Sequence, residues 1–274
     1  MLTKEQVRKH WESETAGVRY GEGEDTEGFY QSIEDVRYLL EPYIPFFAQF
    51  EGYGGKRVLE IGTGGGVDFS RFVRYGAMAT GVDLTRGGIA HTLERLNALS
   101  HRERTFYLSQ ADAENLPFKD SCFDLVYSWG VMHHTPDTER AFAEAFRVLR
   151  QGARLKAMIY HTPSWTGWML WVRYALLAGR PLLSPRRCVY EQLESPGTKA
   201  YTVTEAEHML EKLGFKCIRV ITKLGPGDLL TIKPSKKYQG LAYRLVWTIY
   251  PRWLVRLLGD RFGLYLLIMA QKPL

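Results

Sequence analysis

Residues 58–66 read VLEIGTGGG, and this stretch decides the fold. Its apolar start is typical of a buried strand, and its glycines allow a tight turn in which the backbone can approach a ligand. Enzymes that bind dinucleotides use the spacing G-x-G-x-x-G, whose third glycine would fall at position 67. That position holds a valine, and the last glycine of the stretch is Gly66. The spacing therefore argues against a nicotinamide cofactor.

Short β-branched segments alternate with longer amphipathic segments along the chain. Five strand-helix units in succession predict a parallel sheet wrapped by helices on both faces. A later helix, in which Thr204 and Glu207 have capping-box spacing, leads to two more strands. The predicted strands are 56–61, 79–83, 105–109, 123–128, 154–160, 215–222 and 263–270. The fold class is therefore α/β, a Rossmann-like, doubly wound, mainly parallel seven-stranded sheet whose last strand is antiparallel.

The chain divides into a lid, a main domain and a cap. Residues 1–50 are polar with interspersed aromatic residues and are predicted to form an N-terminal helical lid. Residues 51–274 form the main domain, which carries two insertions at 162–203 and 223–262. The insertions hold five of the seven tryptophans and most of the excess positive charge. We expect them to form one hydrophobic, basic cap.

The composition restricts the class of protein. Of the 274 residues, 45% are hydrophobic, which excludes a disordered chain. The 3 cysteines lack the spacing of a zinc site, so we expect a reduced, cytoplasmic protein with no metal. No apolar segment reaches the roughly 18–20 residues that span a bilayer, and the start of the chain does not read as a signal peptide. Peripheral contact with the inner membrane surface stays open.

Four successive strand ends carry groups that suit one adenosine-bearing ligand. Asp83 lies 21 residues after Gly62 and ends the second predicted strand, where its carboxylate can accept both ribose hydroxyls. Asp112 follows the third strand and can accept from an adenine amino group. Ser128 and Trp129 end the fourth strand. The chemistry of these positions predicts a nucleoside site along one edge of the sheet.

Four segments together resemble the class I S-adenosylmethionine-dependent methyltransferases, in particular the branch of ubiquinone/menaquinone-biosynthesis-type enzymes. They are VLEIGTGGG, GVDL at 81–84, ADAENLPFKDSCFDLVYSWGVMHH at 111–134 and EAFRVLRQGARL at 144–155. The resemblance implies S-adenosylmethionine as cofactor, with Gly62 to Gly64 around its methionine part, Asp83 on the ribose, Leu84 on the adenine, and Asp112 with Ala113 at the adenine edge. The predicted cofactor-binding residues are Glu60, Gly62, Thr63, Gly64, Gly66, Asp83, Leu84, Asp112, Ala113, Ser128 and Trp129.

A sulfonium methyl group is strongly electrophilic, so the enzyme mainly aligns a nucleophile in line with the S–CH3 bond and excludes water. A base is needed only for a phenol, a hydroxyl or an acidic carbon. His161 and His133 follow predicted strands and are the candidate bases, although His133 and His134 could instead pack the turn. Tyr20, beside Arg19 on the lid, is a third catalytic candidate, unless this segment is an ordinary surface helix.

The cap combines large apolar side chains with arginines. Trp165, Trp168 and Trp171 share one helical side, and residues 241–258 read LAYRLVWTIYPRWLVRLL. Residues 1–161 carry 19 Lys and Arg against 23 Asp and Glu, whereas residues 162–263 carry 16 against 7, which gives net charges of −4 and +9. This mixture fits a helix at an anionic membrane surface, a lid over an apolar pocket or a dimer interface. Nucleic acid is disfavoured, because the arginines alternate with Leu, Val and Trp.

The sequence thus predicts methyl transfer from S-adenosylmethionine to a small, lipophilic or aromatic acceptor by in-line displacement. One alternative is a methyltransferase that acts on a water-soluble small molecule at N or O. A second is a catalytically silent, membrane-associated module that binds S-adenosylmethionine. The acceptor atom and the oligomeric state stay open at this point.

Overall fold

The computed structural model describes residues 3–99, 105–195, 197–232 and 247–274. Its strands are β1 Arg57–Ile61, β2 Met78–Asp83, β3 Phe106–Gln110, β4 Phe123–Trp129, β5 Leu149–His161, β6 Ala200–Tyr201, β7 Lys216–Lys223 and β8 Tyr265–Gln271. Its helices are α1 Lys4–Ser13, α2 Thr26–Leu40, α3 Ile44–Ala48, α4 Val67–Arg74, α5 Arg86–Ala98, α6 Thr138–Val148, α7 Trp165–Trp171, α8 Pro185–Gln192, α9 Val203–Lys212 and α10 Arg252–Leu257.

The main sheet has the order β3-β2-β1-β4-β5-β8-β7. β1 runs parallel to β2 and to β4, whereas β8 runs antiparallel to β5 and to β7. This arrangement confirms the predicted fold class, with its seven strands and its antiparallel last strand. One strand was not predicted: the two-residue β6, inside the first insertion, pairs with the end of β5.

The central strands β1, β4 and β8 are mostly buried, which explains why they are mainly apolar, whereas the edge strands β3 and β7 are partly exposed. Successive side chains of β1 point to opposite faces. Val58 packs in a cluster with Phe69 and Phe72 of α4, whereas Leu59 packs in a second cluster with Phe142 of α6. This sandwich holds the carboxyl ends of the parallel strands at one edge of the sheet.

Helix α2 is fixed to the main domain by a buried charge network. The Glu34 carboxylate pairs with Arg95 Nη2 at 2.5 Å and with Arg71 Nη2 at 2.6 Å. Arg95 has no exposed surface, and it also donates from Nε to Ser70 Oγ and from Nη1 to the Tyr30 carbonyl. Breaking a buried pair of this kind is costly because it leaves a charge without its partner.

Helix α9 begins one residue earlier than predicted, and a different threonine caps it. Thr202, in an extended conformation, accepts from the backbone N–H of Glu205, and the Glu205 side chain accepts from the N–H of Thr202. The expected capping box at Thr204 and Glu207 is therefore wrong. Both threonines have a glutamate three residues later, so the spacing alone does not distinguish them.

The two insertions contact each other at a buried carboxylate. Asp228, in the second insertion, accepts from the N–H and hydroxyl groups of Thr166 in α7, and from the N–H groups of Gly225 and Leu264. Residues 241–246 of the predicted apolar-arginine segment lie outside the described residues. Within the part of the chain that is described, no helix is long and apolar enough to cross a membrane.

Candidate active site

The loop after β1 forms a backbone cradle. Gly62, Gly64 and Gly66 have φ angles of +80°, +51° and +74°, in the left-handed region that favours glycine. A Cβ atom at Gly62 would lie 2.2 Å from Cγ2 of Val131. No larger residue fits at Gly62, so the backbone itself forms the surface of the site there.

Asp83, at the end of β2, holds this cradle in place. Its Oδ2 accepts from the Gly64 N–H at 2.9 Å, and its Oδ1 accepts from the N–H and hydroxyl of Thr85. Each carboxylate oxygen has two lone-pair positions, so Oδ1 is fully used and Oδ2 retains one acceptor position toward the cavity that Asp83 lines. This remaining position suits a ribose hydroxyl.

The end of β3 is covered by the N-terminal helix. Lys4 Nζ of α1 lies 2.5 Å from Asp112 Oδ2 and 2.7 Å from Glu114 Oε2. Asp112 Oδ1 accepts from the Glu114 N–H at 2.9 Å. The hydrogen bonds to these two carboxylates raise the pKa of Lys4. Helix α1 is thus tied across the position that the sequence predicts for adenine.

A buried charge cluster of α2, α4 and β4 lines the same cavity as the cradle. Asp68 of α4 accepts from Arg37 and Tyr38 of α2 and from Tyr127 of β4. Glu60 of β1 is buried, and no described residue hydrogen-bonds its Oε2. Burial, together with the nearby Asp68 charge, raises the pKa of Glu60 well above its usual range.

This donor and acceptor set fits S-adenosylmethionine. A buried carboxyl oxygen without a partner is costly, and the amino group of a methionine moiety would satisfy Glu60 Oε2. The cofactor also carries a sulfonium charge, and a cation in the cavity would favour the ionised forms of Glu60 and Glu41, whose ionisation burial opposes. The glycine cradle and Asp83 complete a surface for one extended, cationic nucleoside.

Most of the predicted cofactor-binding residues line one cavity of about 1820 Å³. Two do not. The Ser128 hydroxyl donates to the Ile61 carbonyl at 3.0 Å and so joins β4 to β1 behind the cavity wall. Gly66 caps α4 and packs closely on Thr92. The predicted cofactor-binding residues that do line the cavity are Glu60, Gly62, Thr63, Gly64, Asp83, Leu84, Asp112, Ala113 and Trp129.

The candidate bases fall into two groups. His133 is fully buried, and His161 is buried with its Nδ1 2.9 Å from the Gly263 carbonyl; neither lines the cavity. Burial lowers the pKa of both, that of His133 strongly. Tyr20 does line the cavity, and its hydroxyl accepts from Arg19 at 3.0 Å. His134 lines it as well.

Glu41 and Glu194 are among the acidic residues at the cavity that the sequence reasoning missed. Glu41 follows α2, and its carboxyl accepts from Arg37 and from the Trp129 indole N–H. Burial raises the pKa of Glu41. One helical face of this segment carries Glu34, Arg37 and Glu41. Charged side chains on the buried face of a helix are unusual and are a sequence signal of a functional site. Glu194, in the first insertion, offered no such signal.

A family model described as a methyltransferase domain matches residues 59–156. The chain is 41% identical over 101 residues to the phthiotriol/phenolphthiotriol dimycocerosates methyltransferase of Mycobacterium tuberculosis, with 36% of each chain covered. It is 28% identical over 165 residues to the demethylmenaquinone methyltransferase of Tropheryma whipplei, with 59% of this chain and 67% of that protein covered. The chain thus spans about a third of the length of the mycobacterial relatives.

The fold has a wider match. A geranyl diphosphate C-methyltransferase from Streptomyces coelicolor, solved with S-adenosyl-L-homocysteine, superposes with a TM-score of 0.62 at 14% identity over 98% of this chain and 97% of that chain. The family match confirms the predicted resemblance and S-adenosylmethionine as the cofactor of this domain. Residues 59–156 therefore match the methyltransferase-domain family, and the whole chain shares its fold with a solved methyltransferase.

Proposed function

We propose that this chain transfers a methyl group from S-adenosylmethionine to a small, lipophilic acceptor. The observation that carries the proposal is the cavity of about 1820 Å³, which runs from the glycine cradle to the apolar side chains of both insertions. Sites for one drug-sized ligand enclose roughly 300–1,000 Å³. The cavity therefore has room for the cofactor and for a second molecule beside it.

In this proposal the cradle holds the cofactor. The backbone at Gly62 and Gly64 and the Glu60 carboxyl bind its methionine end, Asp83 binds the ribose, and Asp112 binds the adenine edge. The bound cofactor supplies an electrophilic methyl group. The chain contributes alignment of the acceptor and exclusion of water, which can together lower the barrier by several kcal/mol, up to roughly 7–11 in ideal cases.

The other end of the cavity supports a lipophilic acceptor. Its wall includes Trp165 and Leu170 of the first insertion and Leu230, Leu254 and Val255 of the second. The names of the two relatives, a dimycocerosate and a menaquinone methyltransferase, favour a lipid- or quinone-like acceptor. A water-soluble acceptor would not complement this apolar wall.

The proposal is tested with methyl-labelled S-adenosylmethionine and a whole-cell extract of the host. Label in the organic phase supports a lipophilic acceptor, and label in the aqueous phase supports the water-soluble alternative. Binding of S-adenosylhomocysteine without transfer favours the silent module. Gly62→Ala should abolish transfer, whereas Gly52→Ala should not, because a Cβ at Gly52 would meet no atom within 4 Å.

The rim of the cavity supports contact with an anionic membrane surface. Trp168, Val172, Leu177 and Leu254 line the cavity and are also exposed to solvent. Further exposed apolar side chains and exposed arginines belong to the same two insertions. They are Leu176, Leu182, Ile249, Trp253, Leu257, Leu258, Arg180 and Arg256. Aromatic and aliphatic side chains beside cations fit a lipid interface, from which an acceptor would enter the cavity.

Vesicle flotation tests this contact. The protein should float with phosphatidylcholine vesicles that contain phosphatidylglycerol at low salt, and less with phosphatidylcholine alone. Leu177→Ser and Trp253→Ser should weaken flotation, because these side chains are 78% and 70% exposed on the insertions. Phe46→Ser is the control, since Phe46 is 84% exposed but belongs to α3. Absence of flotation with anionic vesicles would remove the membrane contact from the proposal.

A further inference from the structure

Three polar side chains meet at the acceptor end of the cavity. The Tyr160 hydroxyl, at the end of β5, donates to Glu194 Oε2 at 2.8 Å. His134 Nε2, after β4, lies 3.5 Å from the same oxygen. His134 Nδ1 is in turn 2.9 Å from Ser195 Oγ and 3.2 Å from Thr198 Oγ1. All three of the meeting residues line the cavity.

The Glu194 carboxylate has one oxygen occupied and one available. Both contacts use Oε2, and within the described ranges no residue hydrogen-bonds Oε1. The side chain is 42% exposed, whereas Tyr160 is buried beneath it. Burial opposes ionisation of Glu194, but the nearby His134 ring and the hydrogen bond from Tyr160 hold its pKa below the usual value. The carboxylate is therefore ionised and ready to accept a hydrogen bond from a ligand.

The backbone at this position is strained. Glu194 has a φ of +50°, in the left-handed region where glycine is favoured and a side chain with a Cβ is strained. Glu194 follows α8, where a glycine would end the helix without strain. Strained residues concentrate at functional sites, and here the strain accompanies a carboxylate that faces the cavity.

We propose that Glu194 is the general base of the reaction and that the acceptor is methylated at a hydroxyl group; this inference rests on the proposed function. Tyr160 and His134 are positioning residues that hold Oε2 so that Oε1 can accept the hydroxyl hydrogen bond. The O–H bond breaks and its proton moves to Oε1. The acceptor oxygen forms the new O–CH3 bond, and the electron pair of the broken S–CH3 bond stays on sulfur.

The arrangement distinguishes this role from that of the buried histidines. A base must come within about 2.6–3.2 Å of the proton-bearing atom, or reach it through one water molecule. His133 and His161 lie behind the cavity wall, and burial lowers their pKa values. Glu194 lies on the wall, beside the apolar surface that suits the rest of the acceptor.

The experiment uses the full chain, labelled cofactor and the host extract. Mass spectrometry and NMR of the labelled product should show a methyl ether. Glu194→Gln should lower the single-turnover rate by about 100- to 10,000-fold, the typical contribution of a general base. The affinity for S-adenosylhomocysteine, measured by calorimetry, should stay within about threefold of that of the original chain, because the cradle is unchanged. Glu191→Gln is the control, since Glu191 pairs with Arg187 outside the cavity.

A second variant separates catalysis from folding. Glu194→Gly removes the carboxylate, and relief of the strained backbone offsets the loss of the Tyr160 hydrogen bond, so the variant should fold and melt cooperatively like the original chain. Added formate should restore its activity in proportion to concentration, which a purely structural role would not produce. A C- or N-methylated product, a full rate in Glu194→Gln or no rescue by formate would overturn the inference. Absence of any transfer by the original chain would instead overturn the proposed function itself.

Discussion

Asp83→Asn is the sharpest test of the cradle, because the change preserves shape and alters only charge and one acceptor. Both carboxylate oxygens accept from backbone N–H groups: Oδ2 from Gly64 and Oδ1 from Thr85. An asparagine has only one acceptor oxygen. If that oxygen keeps the two Thr85 hydrogen bonds, the new NH2 group faces the Gly64 N–H, so a donor meets a donor.

The Asp83→Asn change should lower both the stability of the chain and its affinity for the ligand. One hydrogen bond to a charged group contributes about 1.5–3 kcal/mol, so the free energy of unfolding without ligand should fall by about that amount. The ribose hydroxyls would lose a charged acceptor as well, and about 1.4 kcal/mol corresponds to a tenfold change in affinity. We therefore expect the Kd for S-adenosylhomocysteine to rise about 10- to 100-fold.

Urea unfolding measures the change in stability, and calorimetry measures the change in affinity for S-adenosylhomocysteine. Asp124→Asn is the matched control: Asp124 accepts from the Arg57 N–H at 2.8 Å and from Arg150 at 2.7 Å, but it lies outside the cavity. This control should lose stability and keep its affinity. If Asp83→Asn bound S-adenosylhomocysteine as tightly as the original chain, the ribose role of Asp83 would be refuted. Unchanged stability would refute its role in holding Gly64.

Three further outcomes follow from the packing. Gly62→Ala should abolish thermal stabilisation by S-adenosylhomocysteine, and adding Val131→Ala should restore part of it if crowding at 2.2 Å is the cause. Arg95→Met should lower the free energy of unfolding in urea by about 3–5 kcal/mol, and adding Glu34→Gln should recover part of the loss. Burial lowers the pKa of Lys156 from 10.5 to about 8, so the unfolded chain binds more protons than the folded chain between pH 8 and 10.5. The free energy of unfolding should therefore rise by about 3 kcal/mol from pH 8 to 10.5. Lys156→Met should remove this rise.

The sheet and the cradle could be predicted because their signals are local. A buried strand followed by Gly62, Gly64 and Gly66 imposes its own turn, and the acidic residue at the end of the next strand follows from parallel pairing. The bounds of the strands also depend on local backbone geometry. β5 begins at Leu149 and not at residue 154, because Gly152, with a φ of +73°, lets the chain turn within the strand.

The acceptor end could not be predicted because it depends on contacts between distant segments. His133 and His134 are adjacent in sequence, but they lie on a short 3₁₀ turn in which neighbouring side chains point about 120° apart. His133 therefore enters the core and His134 faces the cavity. Glu194 reaches the same place from an insertion, and no spacing in the sequence joins it to Tyr160.

The separation of the cofactor cradle from the insertions also explains how one fold can take different acceptors. The cofactor cradle is held by hydrogen bonds within the core of the domain, such as those between Asp83 and Gly64. The insertions are held separately: Asp228 accepts four hydrogen bonds from Thr166, Gly225 and Leu264, and burial raises its pKa. A change in the insertions can therefore alter the acceptor without disturbing the cradle. The substrate of this chain is accordingly to be sought in the chemistry of its insertions, whose apolar side chains line the cavity together with the Glu194 carboxylate.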